Sequence, residues 1–210
     1  MHSLLKKISR CEICINDLPS GCRPVVQLSA MSKIIIIGQA PGKKVHESGI
    51  PWRDKSGDTL RKWMNVDEDT FYNPEFFSIM PMSFCYPGKG ISGDLAPRQE
   101  CAPLWHPQIL KNIKSAPLIL LIGNYAQRYY LKKDNKNSLT ENVRSYKEFL
   151  PKYFPLPHPS PRNQNWIKIN PWFMAQAVPE LRKKMNEMLD DTTSVNYQEK
   201  GNLGESMFVF

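Results

Sequence analysis

Four short runs of apolar residues along the chain predict the strands of one buried sheet. The clearest is Ile34–Ile37, four consecutive isoleucines with no polar residue to face solvent. Such a run is typical of a strand that is covered on both faces, as in a parallel sheet. Residues 76–82 and 117–123 form two further runs, and the short segment YFPL at 153–156 forms the fourth.

Segments with helical spacing of apolar residues separate the predicted strands. Residues 56–64 begin at Ser56, a residue type that favours helix N-caps, and place Leu60, Trp63 and Met64 on one face. The other predicted helices are 98–113, where prolines break the pattern, 124–131, 139–150 and, as one helix or two, 170–189. Strands that alternate with helices predict an α/β fold with a short, four-stranded parallel sheet.

Length and composition predict a single domain over residues 1–190. With 210 residues, 41% of them hydrophobic, the chain can bury one sizeable core and is short for two. Residues 1–30 are predicted to be an irregular segment that carries three of the five cysteines. Residues 191–210 lack apolar periodicity, so we predict a flexible tail there.

Charge and cysteine content narrow the expected partner and compartment. Lys and Arg outnumber Asp and Glu by 28 to 20, and the resulting formal charge of +8 favours an anionic partner, with nucleic acid first. No apolar run has the length of a signal or membrane segment. We therefore expect a cytoplasmic, nucleoid-associated protein without a membrane partner, in which the cysteines are free thiols or metal ligands.

Three motifs follow predicted strands, and ligands of parallel sheets bind beyond the carboxyl ends of the strands. The motifs are GQAPG at 38–42, IGNYAQ at 122–127 and HPSPRN at 158–163. The first lacks the lysine of a phosphate-binding P-loop and does not fit the dinucleotide fingerprint. A zinc deaminase is also excluded, because Cys11 and Cys14 precede the adjacent His46 and Glu47 and have no proline before them.

Together these motifs resemble those of the uracil-DNA glycosylase superfamily. GQAPG is similar to the first motif of its iron–sulfur, or fourth, family, which usually has Glu in place of Gln39. GIPWRDKSG at 49–57 resembles that family's Gly-x-Pro-Phe segment, and Asp54 falls where the fifth family carries its catalytic Asp. IGNYAQ is similar to a Gly-x-x-Ala-Gln turn of the family, and HPSPRN to a loop of the single-strand-selective glycosylases. The resemblance covers roughly residues 11–185 and implies a three-layer α/β/α fold.

The resemblance implies a DNA repair enzyme that flips uracil out of DNA and hydrolyses its N-glycosidic bond, leaving an abasic site. By that resemblance His158 donates a hydrogen bond to uracil O2. Asp54 would hold a water and offset positive charge on the sugar, while Gln39 would orient the water or the base. No lysine stands in a motif position to form the Schiff base of a strand-cleaving enzyme, so we expect a monofunctional glycosylase.

The same resemblance assigns further residues to the substrate and to DNA. Trp52 would stack on the flipped base. The other substrate-binding candidates are Gly38, Ala40, Pro41, Gly42, Asn124 and Asn163. The stiff loop of Pro159, Ser160, Pro161 and Arg162 would press into the DNA as a wedge. The expected partner is uracil-containing DNA, single- or double-stranded, bound by a monomer.

Several assignments have a purely structural alternative. Asp54 could cap the helix that begins near Ser56. Trp52 could belong to the core, and Arg162 could contact phosphate without acting as a wedge.

The position of Pro81 leaves two alternative functions open. The fourth family reads uracil with an Asn at that position, and proline has no side-chain amide. The chain could therefore be a glycosylase for the deaminated purines hypoxanthine and xanthine. It could also be a catalytically inactive DNA-binding module of the same fold.

Four of the five cysteines reproduce the ligand spacing of the iron–sulfur glycosylases. Two residues separate Cys11 from Cys14, fifteen separate Cys85 from Cys101, and Cys22 is the additional one. By resemblance the four thiolates hold a [4Fe–4S] cluster with a structural role, which the chemistry itself does not need. Tetrahedral zinc and unliganded buried thiols are the alternatives.

Overall fold

A parallel sheet of four short strands lies at the centre of the molecule. The computed structural model describes residues 1–91, 93–114 and 118–190. The strands are β1 (Ile34–Ile37), β2 (Phe77–Ile79), β3 (Leu118–Ile122) and β4 (Tyr153–Leu156). Their order in the sheet is β2–β1–β3–β4, and each neighbouring pair is parallel. The predicted parallel sheet is confirmed, although β2 is shorter than the predicted run. The predicted tail at 191–210 lies outside the described residues.

Helices fill the connections between the strands. In the described part of the chain the α-helices are α1 (His2–Ser9), α2 (Lys43–Ser48), α3 (Lys55–Met64), α4 (Glu68–Tyr72), α5 (Cys101–Asn112), α6 (Asn124–Leu131), α7 (Leu139–Arg144), α8 (Tyr146–Phe149), α9 (Gln164–Ile169) and α10 (Val178–Asp190). Short 3₁₀ turns occupy Ile15–Asp17, Lys132–Asp134 and Pro161–Asn163, and a π-helical segment at Phe173–Ala177 leads into α10. Among these elements, no helix has both the length and the apolar character to cross a bilayer.

The helices cover both faces of the sheet, because successive side chains of a strand point to opposite sides. Ile35 and Ile37 pack into one core with apolar residues of α1, α5 and α6. Ile34 and Ile36 pack into the other core with α3, α4, α7, α8 and α10. All four isoleucines are completely buried. The three-layer α/β/α architecture is therefore confirmed.

The prediction that residues 1–30 are irregular is wrong for their first third. Helix α1 spans His2–Ser9 and buries Leu4, Leu5 and Ile8 against the sheet. These three apolar residues form a helical stripe of barely two turns, which is too short to stand out from the sequence.

Prolines do not break the helix predicted at 98–113. Helix α5 continues through Pro107, and Pro103 lies in its first turn, where a backbone N–H has no intrahelical partner. Pro107 is exposed, so water can reach the carbonyl group that loses its hydrogen bond. The segment 139–150 instead divides at Ser145 into α7 and α8.

A buried amide joins the carboxyl ends of β3 and β4. The side chain of Gln127 on α6 is completely buried, and its Nε2 donates to the carbonyl oxygens of Leu156 at 2.9 Å and Leu121 at 3.3 Å. Its Oε1 accepts from Nδ2 of Asn142 at 3.1 Å. Gln127 therefore fixes the point at which β4 ends and the HPSPRN loop begins.

Replacing Gln127 with Met keeps the volume and removes these three hydrogen bonds. Because buried polar partners would be left unsatisfied, we expect Gln127→Met to lower the free energy of unfolding by about 3 kcal/mol. Urea unfolding at neutral pH measures it. The control is Gln108→Met on the exposed face of α5, which should change stability by less than about 0.5 kcal/mol. Equal stabilities for the two variants would contradict the role of Gln127.

Candidate active site

A cavity of about 550 Å³ opens at the carboxyl edge of the sheet. Its walls come from the loops that follow β1, β2 and β4 and from the turn that begins α3. Most of the predicted site residues line it, namely Gly38, Gln39, Ala40, Pro41, Gly42, Trp52, Asp54, His158, Ser160, Pro161, Arg162 and Asn163. The structure thus brings together residues from three sequence segments, of which Gly38 and Asn163 lie 125 positions apart.

Two residues predicted to bind substrate or DNA do not line the cavity. Asn124 is exposed at the first position of α6, and Pro159 is the buried residue of the HPSPRN loop. The IGNYAQ motif acts instead through the structural contacts of Gln127 and through Gly123. Gly123 has a φ of +81°, and a Cβ atom at this position would lie 3.8 Å from Cβ of His158.

Trp52 is held in a conformation that only tight packing can maintain. Its φ is +57°, a left-handed value that is unfavourable for a bulky residue. A Cβ atom on Gly38 would lie 2.9 Å from Cζ2 of the indole, and one on Gly57 would collide with the Trp52 carbonyl oxygen. The ring packs partly against the core and also lines the cavity. The side chain therefore belongs partly to the core, and it also forms part of the cavity wall.

Asp54 is the N-cap of α3, as its structural alternative predicted. Its Oδ1 accepts from the backbone N–H of Gly57 at 2.9 Å. The prediction of Ser56 as the N-cap is wrong, since Ser56 lies inside the first turn and is buried. Asp54, two residues earlier, is the N-cap because its extended backbone lets the carboxylate reach the N–H groups at the start of α3 that have no partner within the helix. Asp54 also lines the cavity, so capping fixes the place of its carboxylate.

Gln39 connects the loop after β1 to the loop after β2. Its Nε2 donates to the carbonyl oxygen of Leu95 at 3.4 Å. Its backbone carbonyl accepts from the N–H of Ser83 at 3.1 Å. Gln39 lines the cavity and at the same time holds a neighbouring loop against it.

His158 follows β4 and is half-buried beside Trp52. The two ring centroids are 5.5 Å apart with the planes tilted by 33°. Burial lowers the pKa of His158 below its ordinary value of 6.5, and the carboxylates of Asp54 and Asp94 offset part of that decrease. The imidazole is therefore neutral at pH 7 and has one N–H to donate.

The rest of the HPSPRN loop is fixed by short-range hydrogen bonds. Nδ2 of Asn163 donates to the His158 carbonyl at 2.8 Å, and Oγ of Ser160 accepts from the Arg162 N–H at 3.3 Å. These bonds close the turn at Pro161–Asn163, a helical element that the sequence pattern did not reveal. A guanidinium nitrogen of Arg162 lies 2.5 Å from the position that a Cβ on Gly93 would take. Arg162 therefore reaches across to the loop after β2.

The loop after β2 is a part of the site that no sequence motif indicated. Gly93 and Asp94 from this loop line the cavity, as does Pro81 just after the strand. The pairing of β2 with β1 indicates that the loop after β2 reaches the site, because the carboxyl ends of parallel strands lie at the same edge of the sheet. In the sequence, only three of the four strand ends carry a motif, and the end of β2 carries none.

A buried histidine holds Pro81 in place. Nε2 of His106 lies 3.0 Å from the Pro81 carbonyl oxygen, and Nδ1 lies 2.7 Å from the hydroxyl of Tyr130. Burial lowers the pKa of His106 to about 4, so the ring is neutral at pH 7. It can then donate from Nε2 and accept the tyrosine proton at Nδ1. The Pro81 carbonyl is thus hydrogen-bonded to His106, which does not line the cavity. The proline ring contributes an apolar part of the cavity wall.

All five cysteines line a second, small cavity on the other side of the β2 loop. It has a volume of about 20 Å³, and Phe84, Arg98 and Trp105 contribute to its walls. The backbone N–H of Phe84 donates to Sγ of Cys101 at 3.3 Å. Burial raises the pKa of Cys85 to about 12. The four cysteines predicted as ligands, Cys11, Cys14, Cys85 and Cys101, thus converge, and Cys22 joins them.

The uracil DNA glycosylase superfamily model matches residues 26–182 of the chain, about three quarters of its length. The matched range includes the whole sheet and every residue that lines the larger cavity. The chain belongs to the uracil-DNA glycosylase superfamily. Membership supports a DNA glycosylase type of hydrolase that acts on DNA.

Replacing Gly57 with Ala tests the contact that fixes Trp52. In an ordinary helix this change stabilises by about 1 kcal/mol. Here the added methyl collides with the Trp52 carbonyl oxygen, so we expect destabilisation of about 2 kcal/mol. Thermal and urea unfolding measure the sign. Thr59→Ala in the same helix is the control and should lie within about 0.5 kcal/mol of the parent. A more stable Gly57→Ala protein would show that Trp52 is free to move.

Proposed function

We propose that the protein is a monofunctional glycosylase that hydrolyses the N-glycosidic bond of uracil in DNA. The observation that carries the proposal is one cavity that collects Trp52, Asp54, His158 and Asn163 at the carboxyl edge of the sheet. An aromatic ring, a carboxylate, a neutral N–H donor and an amide are the groups that excision of a flipped pyrimidine requires.

The size and position of the cavity suit an extruded base. A volume of about 550 Å³ lies in the usual range for small-molecule sites and admits a nucleoside. A base inside a duplex cannot be attacked in place, so it must rotate out of the stack into such a pocket. Trp52, at the wall beside His158, offers a ring face on which the base can stack.

His158 would stabilise the leaving base. When the bond between sugar and base breaks, its electron pair stays on the uracil, and the negative charge is shared with O2. An N–H donor that is already in place stabilises this charge without reorganisation. The low pKa of His158 keeps the ring neutral, so it donates a hydrogen bond without carrying a charge into the site.

The remaining side chains divide into sugar and base contacts. Asp54 has Oδ1 fixed by the Gly57 N–H, which aims the carboxylate toward the cavity, where it would offset positive charge on the sugar. Asn163 uses Nδ2 for the His158 carbonyl, which leaves its Oδ1 to accept from N3–H of uracil. Gln39 would orient the water or the base from the β1 loop.

The HPSPRN loop would make the contact to DNA. Preset proline angles reduce the entropy lost when Pro159–Arg162 orders against the duplex, and the loop would fill the gap left by the flipped base. The formal charge of +8 favours binding to the phosphate backbone, and that contribution weakens as salt rises.

Pro81 supports a second candidate, a glycosylase for deaminated purines. An apolar ring stands where an amide would read the uracil edge, and the His106 bond holds the Pro81 carbonyl away from the cavity. Without that amide, discrimination depends on Asn163 and on backbone groups. Hypoxanthine and xanthine could then enter the same pocket.

Base release is the test of the proposed reaction. Labelled oligonucleotides that hold one uracil, hypoxanthine or xanthine are incubated with the protein and then treated with alkali, which cuts at abasic sites. We expect cleavage at uracil, and a fall of at least about 100-fold in the single-turnover rate for His158→Gln, since it removes the donor to the leaving base. His2→Gln on the exposed face of α1 is the matched control.

The other outcomes separate the alternatives. Cleavage at hypoxanthine or xanthine without cleavage at uracil favours the purine enzyme. Tight binding to uracil-containing DNA with no base release favours a binding module. A His158→Gln variant as active as the parent would remove the proposed role of that residue.

We also propose that Cys11, Cys14, Cys85 and Cys101 hold a [4Fe–4S] cluster. A bound cluster would tie the N-terminal segment to both ends of the β2–α5 connection and would take no part in hydrolysis. Nε of Arg98, which lines the cysteine cavity, is among the buried atoms of the described residues without a hydrogen-bond partner. An anionic centre with sulfur acceptors would satisfy this donor.

Tetrahedral zinc is the alternative occupant of the same cysteines. Within the described ranges, no group of three or more His, Cys, Asp or Glu side chains is arranged to hold a metal ion. Metal content therefore has to be measured directly.

Metal analysis after anaerobic purification tests the cluster. We expect about four iron and four sulfide ions per chain, with the broad visible absorption of an iron–sulfur chromophore. Cys101→Ser should lose iron and colour, whereas Cys22→Ser should retain them. One zinc ion per chain, or retention of iron by Cys101→Ser, would contradict the assignment.

A further inference from the structure

A second carboxylate, that of Asp94, lines the active-site cavity beside the predicted Asp54. It comes from the loop after β2, which carried no motif. Its Oδ2 lies 3.5 Å from the position that a Cβ on Gly42 would take, so the carboxylate lies against the loop after β1. Asp94 is also close enough to His158 that its charge, with that of Asp54, offsets part of the decrease that burial causes in the pKa of the imidazole.

The loop after β2 is built to hold Asp94 in this place. The N–H of Leu95 donates to the Gly88 carbonyl at 2.9 Å. The backbone of Asp94 pairs with that of Lys89 in an isolated antiparallel β-bridge. On one side of Asp94, the carbonyl of Leu95 accepts from Gln39. On the other side, Gly93 lies against Arg162. The two other loops of the site thus hold the residues that flank Asp94.

A buried phenol lies near the carboxylate. The Tyr86 side chain is almost completely buried, and Asp94 is close enough to it to contribute to its raised pKa. The pKa of Tyr86 is raised by burial first and by Asp94 second, so the phenol keeps its proton and remains a donor.

Ordinary structural roles do not account for Asp94. Helix α2 begins at Lys43, close to Asp94, but among the described residues no backbone N–H donates to the Asp94 carboxylate, so Asp94 is not a helix cap. None of the ion pairs among the described residues includes Asp94. The carboxylate is exposed and faces the cavity, where water can reach it.

We propose that Asp94 is a catalytic carboxylate that holds and deprotonates the attacking water, while Asp54 stabilises the positive charge on the sugar. This division rests on the proposed glycosylase function. Asp54 has one oxygen committed to the Gly57 N–H and is fixed at the start of a helix, which suits it to a static charge. Asp94 comes from a different loop, is open to solvent and keeps lone pairs for a water.

The hydrolysis step balances with these two residues. The bond between sugar C1′ and base N1 breaks, and its electron pair leaves with the uracil. The water oxygen forms a bond to C1′ and gives its proton to the Asp94 carboxylate. The released base then takes a proton from solvent, and Asp94 returns its proton to solvent. No oxidant, reductant or further reactant is needed.

If the inference is correct, replacing Asp94 lowers the rate of base release without lowering the affinity for DNA. We expect Asp94→Asn to lower the single-turnover rate on uracil DNA by about 100-fold, the usual contribution of a general base. Affinity for a non-hydrolysable uracil analogue in DNA should stay equal or increase, since a negative charge near phosphate is removed. Added formate should restore part of the rate to Asp94→Asn only. Asp69→Asn, an exposed acid on α4, is the matched control.

Each other outcome overturns the inference in a recognisable way. A rate within threefold of the parent shows that Asp94 takes no part in the reaction, while the parent activity leaves the glycosylase function intact. A parallel loss of rate and affinity, without formate rescue, shows that Asp94 only positions the loop. A parent protein that releases no base overturns both the function and this inference. Thermal unfolding of Asp94→Asn, expected at the parent temperature, excludes misfolding as the cause.

Discussion

The contact of Trp52 with two glycines is the interaction on which the site depends. The indole packs against Gly38 at the end of β1, and its carbonyl group lies against Gly57 in the first turn of α3. Only glycine fits at these two positions, and the packing maintains a left-handed backbone at Trp52. This contact sets the distance between the sheet and the start of α3, and therefore the place of Asp54. His158 then lies against the same ring from the end of β4.

The segment after β2 connects the active-site cavity with the cysteine cavity. The N–H groups of Met82 and Ser83 donate to the carbonyls of Gly38 and Gln39 in the active-site loop, at 2.9 and 3.1 Å. One residue later, the N–H of Phe84 donates to Cys101 in the cysteine cavity. A group bound by the cysteines would therefore stiffen the backbone that supports the site without touching the substrate.

The sheet could be predicted because it follows from local pattern, and most of the cavity wall could be predicted because the motifs that follow the strands resemble those of a known family. Four isoleucines at β1 and the glycine- and proline-rich loops after β1 and β4 are strong signals within a few residues. Asp94 could not be found this way, since its place depends on the loop after β2 folding back against Gly42. Asn124 was misplaced for a similar reason. A motif that follows a strand does not reveal which of its side chains turns outward, and here Gln127 is the buried one.

Backbone detail within the site was hard to predict. The capping role of Asp54 and its place in the cavity are compatible, because a cap fixes one carboxylate oxygen and leaves the other. The helical turn at Pro161–Asn163 escaped prediction because prolines obscure periodicity, although proline favours the first position of such a turn.

The most direct test of the account is a crystal structure of the protein with duplex DNA that carries a 2′-fluoro-2′-deoxyuridine, whose glycosidic bond resists hydrolysis. The account predicts the uracil rotated out of the duplex and stacked on Trp52, with O2 within hydrogen-bond distance of His158. A uracil that stays in the base stack, or lies outside the cavity between Trp52 and His158, would contradict it.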